Sequence, residues 1–396
     1  MLESVVEDDI AGWAEDVQAW TDELGFLFNR PEPRRTFGLF IKGLLSNAEK
    51  KNAWGLADHL GYRSPDALQH LMSRASWDAD VLRDQVRSRV VGGLGDPGAV
   101  LVVDDTQVQK WGDKSVGVAP QYCGVTGDTR NVQTMVMLAC ASVHGHAFID
   151  RELYLPESWT SDPARLREAR VPEDRVFLTK PQLAADMLDR AVDAAVPFSA
   201  VVFDSGYGKD EALRTRLSSR GLAYTAEVPK SLPPVDDAGR VTRADAIHRV
   251  LPGGAWQLRS QGPGEKGERT YDHAMVPVRP KRETAADGFE FTLLIRKTKQ
   301  KTAKHGRSLY EFAYFLVHAP KGTSLNRMVA WTGLRWNIED DNKAGKNEFG
   351  LGDYQVRTWT SWHRYVTSSM LAHAFIAVKR AEPGKEQDPH EGTPAA

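Results

Sequence analysis

Two short apolar runs, Ala99-Val100-Leu101-Val102-Val103 and Phe198 to Phe203, are each followed by an aspartate, Asp104 and Asp204. Continuous runs of this kind are typical of strands buried on both faces. Ligands of open α/β sheets bind at the carboxyl edge of the strands, and parallel neighbouring strands would bring both tips together. Two carboxylates so placed repel unless a cation or a shared proton relieves them. Hard divalent cations prefer oxygen ligands, which makes Mg²⁺ or Mn²⁺ the natural occupant. Either aspartate alone reads best as the cap of a following turn; the pair points to a site. Holding two metals requires a third acid, and Glu339 is the candidate. Arg335, Glu339, Lys343 and Lys346 share one helix face. Spacing alone favours a solvated ion-pair ladder. Against it, Trp331, Leu334, Trp336 and Ile338 make much of the remaining surface apolar, which suggests a face aimed at phosphates and their metals.

The elements that must position these acids follow from periodicity. Residues 1–95 read as a helical domain, with Ile10, Trp13, Val17, Trp20 and Leu24 recurring at three- and four-residue steps. Residues 96–229 alternate strands with helices, as in an α/β core. Strands are expected at Val116–Tyr122, Val132–Ala141, Ala147–Leu155 and Leu222–Val228, and a helix over 181–195. Residues 230–322, rich in Gly, Pro and charge, read as a β-rich insertion with strand-like runs at Ala274–Val278, Phe289–Ile295 and Tyr314–His318. Helical periodicity returns over 323–378, running from Ser324 through Ile338 and again from Trp359 to Val378. A polar tail, 379–396, is expected to be disordered.

Composition limits the function. The chain has 396 residues, 41% hydrophobic and 26% charged, with no apolar run long enough for a membrane helix and no signal-peptide pattern. Its two cysteines, Cys123 and Cys140, cannot build a disulfide framework or a four-cysteine zinc site, which suits a reducing cytoplasm. Both are expected to be buried as small hydrophobes. The histidines, among them His144, His146, His363 and His373, lack zinc spacing. Net charge is −2, yet residues 1–100 hold 11 basic and 16 acidic side chains, while residues 205–338 hold 23 and 13. A basic run, Arg296, Lys297, Lys299, Lys301, Lys304 and Arg307, lies in the second stretch. Local clusters of this kind matter more for phosphate neutralisation than the whole-chain charge.

Several ordered strings carry a family resemblance. Asp104-Asp105-Thr106 is followed by Lys110-Trp111-Gly112-Asp113-Lys114-Ser115-Val116-Gly117-Val118, Gln121-Tyr122-Cys123-Gly124 and Asn131-Val132-Gln133. Further on come Asp150-Arg151-Glu152-Leu153-Tyr154-Leu155-Pro156 with Trp159, then Gly264-Glu265-Lys266-Gly267-Glu268-Arg269-Thr270-Tyr271-Asp272 and Gly350-Leu351-Gly352-Asp353-Tyr354-Gln355-Val356-Arg357. Together, over roughly residues 35 to 378, they resemble bacterial insertion-sequence transposases of the DDE superfamily. The resemblance implies an α/β fold: an RNase H-like mixed sheet flanked by helices, with an N-terminal helical domain and a β-rich insertion before the last catalytic helix. It maps the first two catalytic aspartates to Asp104 and to Asp204, in Asp204-Ser205-Gly206-Tyr207. Asp105 competes with Asp104, but strand alternation points it the other way. Arg335, Glu339 and Lys346 fit the last three positions of the family pattern Tyr-x2-Arg-x3-Glu-x6-Lys. Thr332 stands at the tyrosine position, and Asp341-Asn342 replace an expected aromatic, adding charge near the site.

The implied chemistry is two-metal, Mg²⁺-dependent cleavage and joining of phosphodiesters, with Mn²⁺ as a substitute and Asp104, Asp204 and Glu339 as ligands. The implied partner is double-stranded DNA, bound by a homodimer, in a bacterial cytoplasm. Arg335, Lys343 and Lys346 would contact phosphates, with Lys110, Lys114, Tyr207 and Trp256 as weaker candidates. Packing is an equally good reading of Tyr207 and a better one of Trp256. In the N-terminal helices, Arg34, Arg35, Lys50 and Lys51 are the residues to test. The rivals are a transposase-derived DNA-binding or regulatory protein without activity, and a structure-directed nuclease that cuts but never joins.

Overall fold

The computed structural model describes residues 13–124, 126–234, 239–264, 267–299 and 310–382. Ile10, Glu265, Lys266, Lys301, Lys304, Arg307 and the tail after residue 382 lie outside them. Among the described residues, ten helices span seven residues or more. They are α1 (Ala14–Glu23), α2 (Pro31–Leu45), α3 (Ala53–His59), α4 (Asp66–Ser73), α5 (Ala79–Leu94), α6 (Lys180–Asp193), α7 (Glu211–Ser219), α8 (Leu325–Leu334), α9 (Trp336–Asn347) and α10 (Trp359–Ala381). Ten strands form one sheet: β1 (Val100–Gln109), β2 (Ala119–Cys123), β3 (Asp128–Ser142), β4 (Gly145–Leu153), β5 (Ala200–Phe203), β6 (Tyr224–Val228), β7 (Gln257–Gly264), β8 (Gly267–Pro277), β9 (Phe289–Lys299) and β10 (Tyr310–Pro320).

The sheet is mixed. β1 pairs antiparallel with β3, which also carries β2 and β4, and parallel with β5 on its other side. β5 pairs parallel with β6, and β10, β9, β8 and β7 then continue the same sheet antiparallel. The strands of residues 230–322 thus extend the central sheet. β7 went unread in the sequence because only Gln261 of its side chains is buried, so an end strand shows little apolar alternation.

Two boundaries differ from the sequence reading in ways that matter. β1 does not stop at Asp104 but runs on to Gln109, held by β3 alone. The helix expected from Ser324 through Ile338 is two helices meeting at Arg335, each end of the junction keeping helical backbone angles. The C-terminal helix α10 is buried from Ser361 to Val378, an all-round burial that marks a core helix. Trp13 and Trp20 of the N-terminal segment meet Phe375 edge-on, with ring centroids 6.3 and 5.1 Å apart, so the first helices and the last share a core. Among the described residues no helix is long and apolar enough to cross a membrane.

Candidate active site

The register of the parallel ladder sets the carboxylate pair. β1 and β5 are matched from Val100↔Ala200 to Val103↔Phe203, which makes Asp104 and Asp204 the next residues on strands spaced about 4.8 Å apart. β5 then turns away. Asp204 caps the short turn Ser205–Gly208, its Oδ1 accepting from the backbone N–H of Gly206 at 2.9 Å and of Tyr207 at 3.3 Å. Gly208 is required there, since a Cβ would stand 1.9 Å from the Glu227 carbonyl oxygen. The capping role and the site role therefore fall on one side chain. β1 runs on past the notch left by β5 with Asp104 at its edge.

Asp104 and its neighbour Asp105 have different surroundings. Asp105 forms an ion pair with Lys180 at 2.8 Å and accepts the Tyr207 hydroxyl at 3.2 Å. Asp104 accepts a backbone N–H from Asp105 at 2.8 Å, and among the described residues it has no ion pair. Burial and the charges of Asp204 and Asp105 push its carboxyl up to about 7; the Asp105 N–H and Arg335 pull it down less. A buried acid raised further by neighbouring like charges is relieved by a proton or a cation. The donors are hard oxygens, and that chemistry fits Mg²⁺ or Mn²⁺.

Helix α9 lies over β1, β3 and β4 and brings the basic residues in. Arg335 acts on Asp104, as does Lys346, whose ammonium burial lowers while Asp104 raises it. Arg335 Nη2 also holds Glu339 Oε1 at 2.8 Å, so Glu339 is engaged on its own helix. Lys343 is exposed on the same stretch. Among the described residues, no three His, Cys, Asp or Glu side chains stand together closely enough to hold a metal ion.

The weaker candidates separate cleanly. Tyr207 is 2% exposed, its hydroxyl spent on Asp105. Lys110 donates to the Tyr354 carbonyl at 2.6 Å and lies 3.6 Å from that ring's centroid, and burial lowers its ammonium to about 7. Half-buried Trp256 packs on Phe312 and under Lys297. Lys51 is buried and donates to the carbonyls of Leu44 and Glu348, and Arg34 pairs with Asp22 at 3.5 Å. Lys114 pairs with Glu168 at 3.0 Å. Lys50, Lys110, Lys114 and exposed Trp111 line a groove of about 970 Å³ at the far end of β1.

Several roles were invisible in the sequence. Asp341, expected to add charge near the acids, is fully buried: its Oδ1 contacts His146 Nδ1 at 2.6 Å and His373 Nε2 at 3.3 Å. Two residues on from Glu339, it lies about 200° round the helix, on nearly the opposite side. Cys140, with its thiol pushed up to about 12 by burial, behaves as the small hydrophobe expected. Asp150, Arg151 and Glu152 of the β4 motif form a buried ion network: Arg190 holds Asp150 at 2.9 Å and Glu152 at 2.8 Å, while Arg151 reaches Asp80 at 2.8 Å. The local Asp-Arg-Glu string carries no signal of these distant partners.

The mixed sheet thus sets Asp104 beside Asp204, within electrostatic range of Arg335 and Lys346. The chain belongs to the DDE superfamily endonucleases, whose family model matches residues 23–256, more than half of it. That match contains Asp104 and Asp204 and ends before Glu339. A curated relative, "Probable transposase for insertion sequence element IS701" from Microchaete diplosiphon, is 26% identical over 170 residues. The matched part covers 42% of this chain and 41% of the relative's length. Both findings agree with the insertion-sequence transposase resemblance carried by the motifs.

Proposed function

We propose that the protein is a DNA transposase that cuts and rejoins phosphodiester bonds at insertion-sequence ends, built on an RNase H-like core. The order β4-β3-β1-β5-β6, with only the β1–β5 and β5–β6 pairs parallel, supports the core assignment. In this reading residues 1–95 contact the DNA end, 96–229 and 323–378 form the catalytic core, and 230–322 is the basic insertion. The protein acts as a homodimer on double-stranded DNA in a bacterial cytoplasm. The observation that carries the reading is Asp104, raised toward neutrality beside Asp204 with Arg335 and Lys346 in range.

Asp104 and Asp204 would jointly hold one divalent cation, and Glu339, once it leaves Arg335, would help to hold a second. The bound cations supply activation of the attacking hydroxyl and stabilisation of the leaving oxygen. Arg335 and Lys346 orient the scissile phosphate by charge-assisted hydrogen bonds. A phosphate that draws Arg335 away from Glu339 would free that carboxylate for the site, so substrate and third ligand arrive together. No covalent protein intermediate is needed.

A second reading, a DNA-binding regulator on the same fold, draws on the Arg335–Glu339 ion pair, which keeps the third acid out of the cluster. One experiment separates the two. Duplexes carrying the sequences that flank the gene are incubated with Mg²⁺ or Mn²⁺ and either wild-type protein or Asp204→Asn. Cleavage and joining that vanish in the variant support the transposase. Binding without cleavage by the wild type in both metals supports the regulator.

A further inference from the structure

The strands that extend the sheet bring two arginines to the α8–α9 junction. Arg269 of β8 and Arg296 of β9 line a cavity of about 480 Å³ with Arg335, Gln261, Tyr271 and Trp336. Arg269 Nη2 donates to the carbonyls of Gln261 at 2.8 Å and Gly333 at 2.9 Å, and its Nε to Pro263 at 3.1 Å. Arg296 Nη1 donates to Gln261 Oε1 at 3.2 Å, and its guanidinium lies 5.1 Å from the Tyr271 ring and 5.6 Å from Phe315. Among the described residues its buried Nε has no hydrogen-bond partner. Gly333 clamps the junction to β7, since a Cβ there would stand 2.3 Å from the Gln261 carbonyl oxygen, so Arg335 is fixed relative to the other two.

Three guanidinium groups in one partly desolvated cavity repel one another. Burial lowers both Arg269 and Arg296, and Arg335 lowers each further. The nearby acids answer only part of this. Glu339 is taken by Arg335, Glu268 at the rim is bonded to Ser260, and Glu227 and Asp340 act at longer range. An arrangement of this kind is balanced by an anion, and the planar guanidinium fork matches phosphate oxygens. Trp336, exposed at the mouth with the Arg269 guanidinium 6.0 Å from its ring, offers a face to a sugar or base.

We propose that this cavity seats one backbone phosphate of the DNA strand beside the reacting bond, with Arg269 and Arg296 as its ligands. The proposal rests on the DNA reading above and adds the extension strands to the positioning of substrate. It gives the basic character of residues 230–322 a specific place of action.

The test uses the full chain, without metal, and a short nicked duplex of arbitrary sequence. Wild-type affinity is measured against salt and against a series of duplexes in which single phosphates are replaced by methylphosphonates. One neutralised position is expected to weaken the wild type. Arg269→Gln should be indifferent at that position, and its salt slope should fall by roughly one unit. Arg296→Gln should do the same, while Lys321→Gln, exposed away from the cavity, should leave the slope unchanged. The methylphosphonate series on the wild type needs no folded variant. No sensitive position, or equal sensitivity in wild type and Arg269→Gln, overturns the proposal. Protection of the wild type from melting by inorganic phosphate, with no methylphosphonate effect, also overturns it by marking a free-phosphate site. Because binding is read without metal, a failure to cleave in the earlier assay leaves this result standing.

Discussion

Two sets of carboxylates sit on adjacent regions of one sheet and are treated in opposite ways. On β4, Asp150 is 1% exposed and meets Arg190 at 2.9 Å, Arg83 at 3.7 Å and Arg151 at 3.9 Å. Arg151 in turn holds Asp80. Burial alone would raise Asp80, but Arg151 and Arg83 hold it down at about 2. Where β5 ends beside β1, Asp104 is buried next to Asp204 and rises to about 7. A buried charge is tolerated when its counter-charge is built in. Where the fold brings two carboxylates together and, among the described residues, forms no ion pair on Asp104, burial and like charge leave that carboxyl raised.

If that contrast is right, substitutions in the two regions should have opposite signatures. The largest effect is expected for Asp204→Asn: strand cleavage should fall by roughly 10³-fold or more, the scale of transition-state stabilisation that metal ligation supplies. DNA binding should survive, and gel-shift titration alongside the cleavage assay checks both. Next comes Asp150→Ala, which leaves buried arginines without their carboxylate and should cost about 3–5 kcal/mol in urea denaturation. A loss below about 1 kcal/mol would mean that the β4 ion network does not stabilise the fold.

Asp104→Asn should instead stabilise, and the sign depends on pH. The folded carboxyl titrates near 7 and the unfolded one near 4, so the folded chain binds the extra proton between those values. Wild-type stability therefore falls as pH rises through this window, and the cost is complete above it. The variant should gain up to a few kcal/mol at pH 8 and almost nothing at pH 4. Melting curves at the two pH values decide, and added Mg²⁺ should raise the wild-type midpoint more than the variant's. The smallest effect belongs to Asp80→Asn. That side chain is about half exposed, so solvent screening leaves about 1 kcal/mol or less. Its depressed carboxyl contributes above pH 4, and the contribution disappears as pH falls toward 2, where variant and wild type should converge.

Much of the candidate site was legible because its signal is local. An unbroken apolar run followed by an acid, twice, is what a buried strand leading to a carboxylate looks like, and the i,i+4 spacing places Arg335 and Glu339 on one face in any helix. The β7 strand, the break at Arg335 and the extension of the central sheet were not legible. β7 shows little apolar alternation, helical backbone angles persist through Arg335, and the extension of the sheet rests on the β6–β10 pairing between strands far apart in the chain.

Residue types and periods alone therefore determined that acids would follow buried apolar runs and that a basic helix face would come later in the chain. Tertiary structure decided which acid is left without a counter-ion. Lys180 neutralises Asp105 and not Asp104, the histidines take Asp341 into the core, and Arg269 and Arg296 join Arg335. Charge compensation depends on distances of a few ångströms between residues far apart in the chain, and only the folded packing sets those distances.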